Sequence, residues 1–331
     1  MKKRNWLVLL LVGALAITSF NSCKKDEGTD DDTDTGPTEW EKSTVFDEDP
    51  RSGAATFTIN KVAYLVGGYT KTDEVLNDAY SFDGKSWTEK AAFSGPARHK
   101  AVGFSVGGNG YVGLGYGGEG ESRSALNDFY KYNPTANQWT KIADFPGEAR
   151  FGAVAFTIGN TAYVGLGITS TDKTFSDFYK YEPATDKWTK ITTDFTDKKG
   201  NAFAFVINDV AYVGGGISNG VLTNDLYSFD GKEWVKKNSL STDSYDARRV
   251  NASAFAIGNN GYVVSGRTTS GFSSTVWKYD PVADSWSDGS QSFPSSRENA
   301  IGFSIDGKGY ISTGSASGSY FDDTYVFSPV R

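Results

Sequence analysis

Six cations recur at one register of this 331-residue chain: Arg51, Arg98, Arg150, Lys199, Arg249 and Arg297, each 13 residues ahead of a tyrosine. Like residues at like positions of a repeat fall on one face of the assembled molecule. Two chemistries are open to them. Each cation can pair with a carboxylate, plausibly the repeated Asp78, Asp128, Asp177, Asp225 or Asp323, as a tie between neighbouring units. A ring of free cations would instead focus field on an anionic ligand such as a carboxylate, sulfate or uronate. Arg98, beside His99, and Arg249, beside Arg248, are expected to face the ligand, and at least two of the others to act as ties. Loop residues expected on the same face include Tyr69, Tyr116 and Arg267, and the tyrosine rings suit stacking on sugars or peptide side chains.

Other chemistry is scarce. One His, one Cys and one Met leave no disulfide, no thiolate metal site and a single imidazole. His99 could act as a general base, but a lone loop histidine is a thin basis for catalysis, so no catalytic residue, metal or other cofactor is expected. A count of 40 Asp+Glu against 33 Lys+Arg argues against nucleic acid, which is bound through clustered cations. The run Gly113-Leu114-Gly115-Tyr116-Gly117-Gly118 spells a dinucleotide fingerprint, yet no helix pattern opens after it to cradle a phosphate. Asp30, Asp32, Asp34 and Glu41 sit at calcium-loop positions, but Thr35 replaces the needed glycine and no helices flank them.

The elements that must hold these residues form a repeat. The tyrosines Tyr64, Tyr111, Tyr163, Tyr212, Tyr262 and Tyr310 are spaced by 47, 52, 49, 50 and 48 residues. Each ends an alternating apolar segment with Gly, Asn or Asp at its middle, which predicts two strands joined by a hairpin turn. A glycine stands four residues after each tyrosine, from Gly68 to Gly314. A second strand pair follows, closing at Trp87, Trp139, Trp188, Trp234 and Trp286. The aromatic series is expected to pack one unit on the next. The sixth unit lacks a closing Trp, while Trp40 precedes the first, so the strand around Trp40 is expected to complete the last unit and pin both ends in one sheet.

Over residues 40–331 this pattern resembles kelch-repeat β-propellers. The resemblance implies an all-β fold, a six-bladed kelch propeller with four antiparallel strands per blade. The paired glycines of that family survive only at Gly67-Gly68 and Gly215-Gly216; Leu114, Leu166, Ser265 and Thr313 take the first place elsewhere. In kelch adaptors that bind acidic peptides, arginines at similar positions line the pocket. Copper oxidases of the galactose-oxidase type share the fold but need a cross-linked Cys and several His, which this chain lacks. Sialic-acid mutarotases share it too and need only Arg and Glu around a sugar acid.

Ahead of the repeat, Lys2, Lys3 and Arg4 precede an apolar run from Trp6 to Ile17 and the sole cysteine, Cys23. That order resembles a bacterial lipoprotein signal peptide over residues 1–22, with lipidation at Cys23. Lys24-Lys25-Asp26-Glu27 is similar to the export signal of Bacteroidetes surface lipoproteins, and residues 23–39 read as lipidated Cys and acidic tether. The expectation is an outer-membrane protein exposed at the cell surface, held to the membrane by its lipid alone. Its propeller would be monomeric and would bind a glycan or a protein without catalysis. The alternative on the same fold is a sugar-acid mutarotase or epimerase.

Overall fold

The computed structural model describes residues 39–118, 122–192, 194–241, 246–288 and 291–329. The signal segment, Cys23 and residues 24–38 lie outside them. Regular elements among the described residues are β-strands, and no α-helix occurs there.

Six sheets repeat one plan, each of four antiparallel strands in order. The first unit contains Ala55–Ile59, Val62–Thr70, Val75–Phe82 and Trp87–Lys90, with Arg51–Ser52 paired onto the second strand. In the sixth, Ile301–Ile305, Lys308–Ser312 and Asp323–Phe327 are joined by Trp40–Val45, and Trp40 lies opposite Phe327. The innermost strand of each unit lies against that of the next, and Ile301–Ile305 lies against Ala55–Ile59.

Alternation explains the strands. Along Ala55–Ile59, Ala55, Phe57 and Ile59 are buried, while Thr56 and Thr58 line the axial space. The turn after Ile59 places Asn60 and Lys61 at φ of 48° and 67°, both positive as a tight hairpin turn requires. Phe57 faces Tyr64 across the hairpin with rings stacked at 4.9 Å, and all six units repeat this phenylalanine–tyrosine pair. Each repeat tyrosine then meets an aromatic ring of an adjacent unit, as Tyr64 meets Tyr132 at 5.4 Å and Tyr310 meets Phe82 at 5.4 Å. A side chain at Gly110 would press within 2.1 Å of the Phe57 ring, so glycine there permits the close packing of units.

The six inner strands surround an axial cavity with chambers of about 430, 220 and 140 Å³. The smallest lies at the end where the cation-bearing segments enter the units.

Candidate functional site

The six cations come first, because their register singled them out. All are buried, none more than 1 % exposed. Arg51, Arg98, Arg150 and Arg297 pair with Asp78, Asp128, Asp177 and Asp323 at 2.5–2.8 Å. Lys199 pairs with Asp225 at 2.5 Å. In the fifth unit Thr275 replaces the aspartate, and the Arg249 Nη2 donates to its Oγ1 at 3.0 Å. Each partner belongs to the cation's own unit, so the side-chain ties run within units rather than between them. Arg98 and Arg249, expected to face a ligand, are as deeply buried as the other four.

The guanidiniums also fasten a turn. The residue preceding each repeat glycine has a positive φ, even where it is Leu114, Leu166, Ser265 or Thr313. That region disfavours side chains, most of all a β-branched one. The carbonyl of that same residue accepts from the arginine Nη1: Gly67, Leu114, Leu166, Ser265 and Thr313 at 2.8–3.2 Å. Lysine cannot span both partners; in the fourth unit the Thr223 hydroxyl donates to the Gly215 carbonyl instead, at 2.8 Å. Between units the link is backbone. The glycine N–H of one unit donates to the carbonyl of the next unit's cation, as from Gly115 to Arg150 and from Gly314 to Arg51.

Two residues past each cation the chain turns inward. Gly53, Lys100, Gly152, Asn201, Asn251 and Asn299 all have φ between 51° and 67°. Their peptides form a cycle: Lys100 N–H donates to Gly53, Gly152 to Lys100, Asn201 to Gly152, Asn251 to Asn201, Asn299 to Asn251 and Gly53 to Asn299, at 2.7–3.1 Å. This cycle rims the 140 Å³ mouth, above a layer formed by Ala54, Ala101, Ala153, Ala202, Ala252 and Ala300.

Lys100 stands out in that rim. Glycine and asparagine tolerate the left-handed backbone, whereas lysine adopts it at a cost. Its ammonium has no ion-pair partner within 4.0 Å among the described residues and rests 5.9 Å from the Phe151 ring centroid. Burial pulls its pKa below the ordinary lysine value; Glu298 opposes that shift and Arg267 adds to it. The Glu298 carboxylate is already engaged, accepting from Asn251 Nδ2 at 2.7 Å with Arg267 Nε at 3.7 Å. Among the described residues the mouth therefore has an ammonium without an ion-pair partner, the exposed Arg267 cation nearby, and amides from Asn201 and Asn299.

An arc of rings borders one side. Tyr320, Tyr69, His99, Tyr116 and Phe151 follow one another at centroid distances of 6.2, 5.1, 5.8 and 5.5 Å. Two strand pieces set it up: His99 faces Tyr116 in the pairing of Arg98–His99 with Tyr116–Gly117. Burial, with Lys100 and Arg123 nearby, pulls the His99 pKa down to about 4, so its ring is neutral at pH 7. The structure thus gathers Tyr69, Tyr116, His99 and Arg267 around the mouth and leaves the six repeat cations beneath it. Sequence reasoning missed Lys100, Glu298, Tyr320 and the asparagines. Its available signal was the residue two places after each cation, where one lysine interrupts a series of glycine and asparagine.

Residues 22–216 and 195–331 match the family described as the KLHDC2/KLHL20/DRC7 Kelch-repeats domain. A solved structure described as "Structure of YjhT" superposes with a TM-score of 0.72 at 18 % identity, covering 87 % of this chain and 96 % of that one. Curated relatives include the N-acetylneuraminate epimerases of Shigella boydii serotype 4, 35 % identical over 113 residues, and of Escherichia coli K12, 35 % over 111. Each alignment covers 33 % of this chain and spans only 30 % of the relative's length.

Proposed function

The chain belongs to the kelch-repeat domain family, and from that premise we propose that its six sheets are the blades of a closed six-bladed propeller whose mouth binds a carboxylated ligand, foremost a sugar acid. The backbone cycle and the pairing of Trp40–Val45 with Asp323–Phe327 support closure. One observation carries the ligand reading: Lys100 brings to the rim an ammonium without a carboxylate partner among the described residues, in a backbone conformation that favours glycine. Strain of this kind collects where function retains it. A carboxylate at Lys100 gains a charge-assisted bond; Asn201 and Asn299 offer amides to hydroxyls, and Tyr69 and Tyr116 offer faces for a sugar ring.

Isothermal titration with N-acetylneuraminic acid tests this. The wild type is expected to bind, and Lys100→Asn, a residue that suits the local backbone, to lose at least about tenfold in affinity. Equal binding by both would refute the reading.

A second reading is favoured by the relatives' activity and by the Glu298 carboxylate beside the mouth: epimerisation or mutarotation of the bound sugar acid. Proton NMR of freshly dissolved α-anomer separates the two, since a pure binding protein leaves anomer exchange at its spontaneous rate. We also propose that the propeller acts as a monomer tethered through lipidated Cys23 at the outer membrane and exposed at the cell surface. Cys23→Ala should then move it to the soluble fraction.

A further inference from the structure

The mouth is too small to enclose a whole ligand. Its 140 Å³ falls below the roughly 300–1,000 Å³ of ordinary small-molecule sites. The chamber beneath is lined mostly by alanine and other apolar side chains, so a polar ligand anchored on Lys100 finds its further partners outward across the face. Two larger cavities lie further out, one of 390 Å³ and one of 320 Å³. The second, at the fourth unit, is lined by Asp197, Lys198, Lys199 and Asp225 and lacks an aromatic platform. The first lies on the seam between the first and sixth units, lined by Asp49, Lys71, Thr72, Ser319 and Tyr320.

Rings connect that seam to the mouth. Tyr320 is 6.2 Å from Tyr69, and Tyr69 is stacked on His99 at 5.1 Å. The Tyr320 hydroxyl lies within the field of Glu298 at the mouth and of Asp73 at the loop, and these, after burial, raise its pKa. Tyr320 lines the seam cavity and is linked toward the mouth through Tyr69 and His99. A half-buried tyrosine with hydroxyls and one cation around it suits a sugar ring, which stacks an apolar face and hydrogen-bonds at its edge.

Resting on the reading of the mouth above, we infer that the ligand is an oligosaccharide: its terminal residue is acidic and sits over Lys100, and the next residue lies on Tyr320 in the seam between the first and sixth units. The preferred ligand is then a chain end rather than a free monosaccharide.

Titration of the full chain with N-acetylneuraminic acid and with 3′-sialyllactose tests the extension. The trisaccharide is expected to bind at least about tenfold tighter. Ser319→Trp, an exposed position that a bulky ring would fill, should abolish that gain and keep monosaccharide affinity within about twofold. Thr72→Trp, on the other wall, provides an independent block. Equal affinity of the two ligands, or a gain that survives both blocks, overturns the seam and leaves the mouth reading standing. A gain for a glutamate-terminated peptide with none for the trisaccharide overturns the saccharide assignment. Binding of neither sugar overturns the mouth reading, and this inference with it.

Discussion

Replacing Arg297 measures what the buried cations do. Its side chain is 0 % exposed and pairs with Asp323 at 2.6 Å, while Nη1 donates to the Thr313 carbonyl at 2.8 Å. The Phe321 and Phe293 rings sandwich the guanidinium at 4.0 and 4.9 Å. In Arg297→Met the aliphatic packing survives, but Asp323 is left as a largely buried charge and Thr313 loses the donor that holds its φ of 62°. Breaking a buried pair from one side costs about 3–5 kcal/mol. The low end applies, because Asp323 keeps some exposure and Arg297 Nε is already buried without a partner. At about 2–4 °C per kcal/mol for a domain of this size, melting should fall by about 6–12 °C. Asp323→Leu alone should be comparably harmful, by stranding the arginine. The double variant should recover most of the loss, since a well-packed apolar pair can replace a buried ion pair. Thermal melts of the four proteins decide it. A loss under about 1 kcal/mol in the single variants, the range of an exposed pair, would show that the buried tie is not what secures the turn.

Three further outcomes follow from the geometry. Lys100→Gly should hold or raise stability by up to about 1 kcal/mol, because glycine meets no penalty at a φ of 51°; a clear drop in melting temperature would refute the strain assigned there. His99 stays neutral down to about pH 4 when folded and takes its proton near 6.5 when unfolded, so the unfolded chain binds more protons in that window and stability falls as pH drops through it. His99→Phe, which keeps a ring between Tyr69 and Tyr116, should lose less stability from pH 6.5 to 4 than the wild type, and parallel pH curves would contradict the shift. Deleting Trp40–Val45 removes the outer strand of the sixth sheet and the Trp40 contact with Phe293 at 4.8 Å, so melting should fall sharply; an unchanged melting temperature would mean that the strand pairing adds nothing.

Much of this architecture was readable from the residues. The tyrosine repeat located every hairpin, and the orphan Trp40 correctly anticipated a strand against the last unit, because hydrophobic period and turn chemistry act locally. The cation register was equally visible, yet the pairing was not. Whether Arg98 points into its own sheet or toward a ligand depends on how the chain turns after it, and that turn is set by the left-handed residues at Leu114 and Lys100. Nothing in the letters distinguishes a leucine in that conformation from one in a strand. Glu298 and Tyr320 were missed for a related reason: both lie on the sixth unit, far along the chain from Lys100 on the second, and approach it only when the units are assembled.

The cycle of peptides around the mouth has an electrostatic consequence. Each of the six N–H groups points the same way around the axis, from one unit to the carbonyl of the one before. Dipoles joined head to tail in a circle have almost no net moment, and their potentials cancel along the axis. A helix terminus does the opposite, aligning its peptides so that the backbone itself attracts an anion. Here the backbone is electrically silent at the point where a ligand would sit. The sign and strength of the field there are left to Lys100, Arg267 and Glu298, so three side chains, and not the fold, determine which charge the mouth accepts.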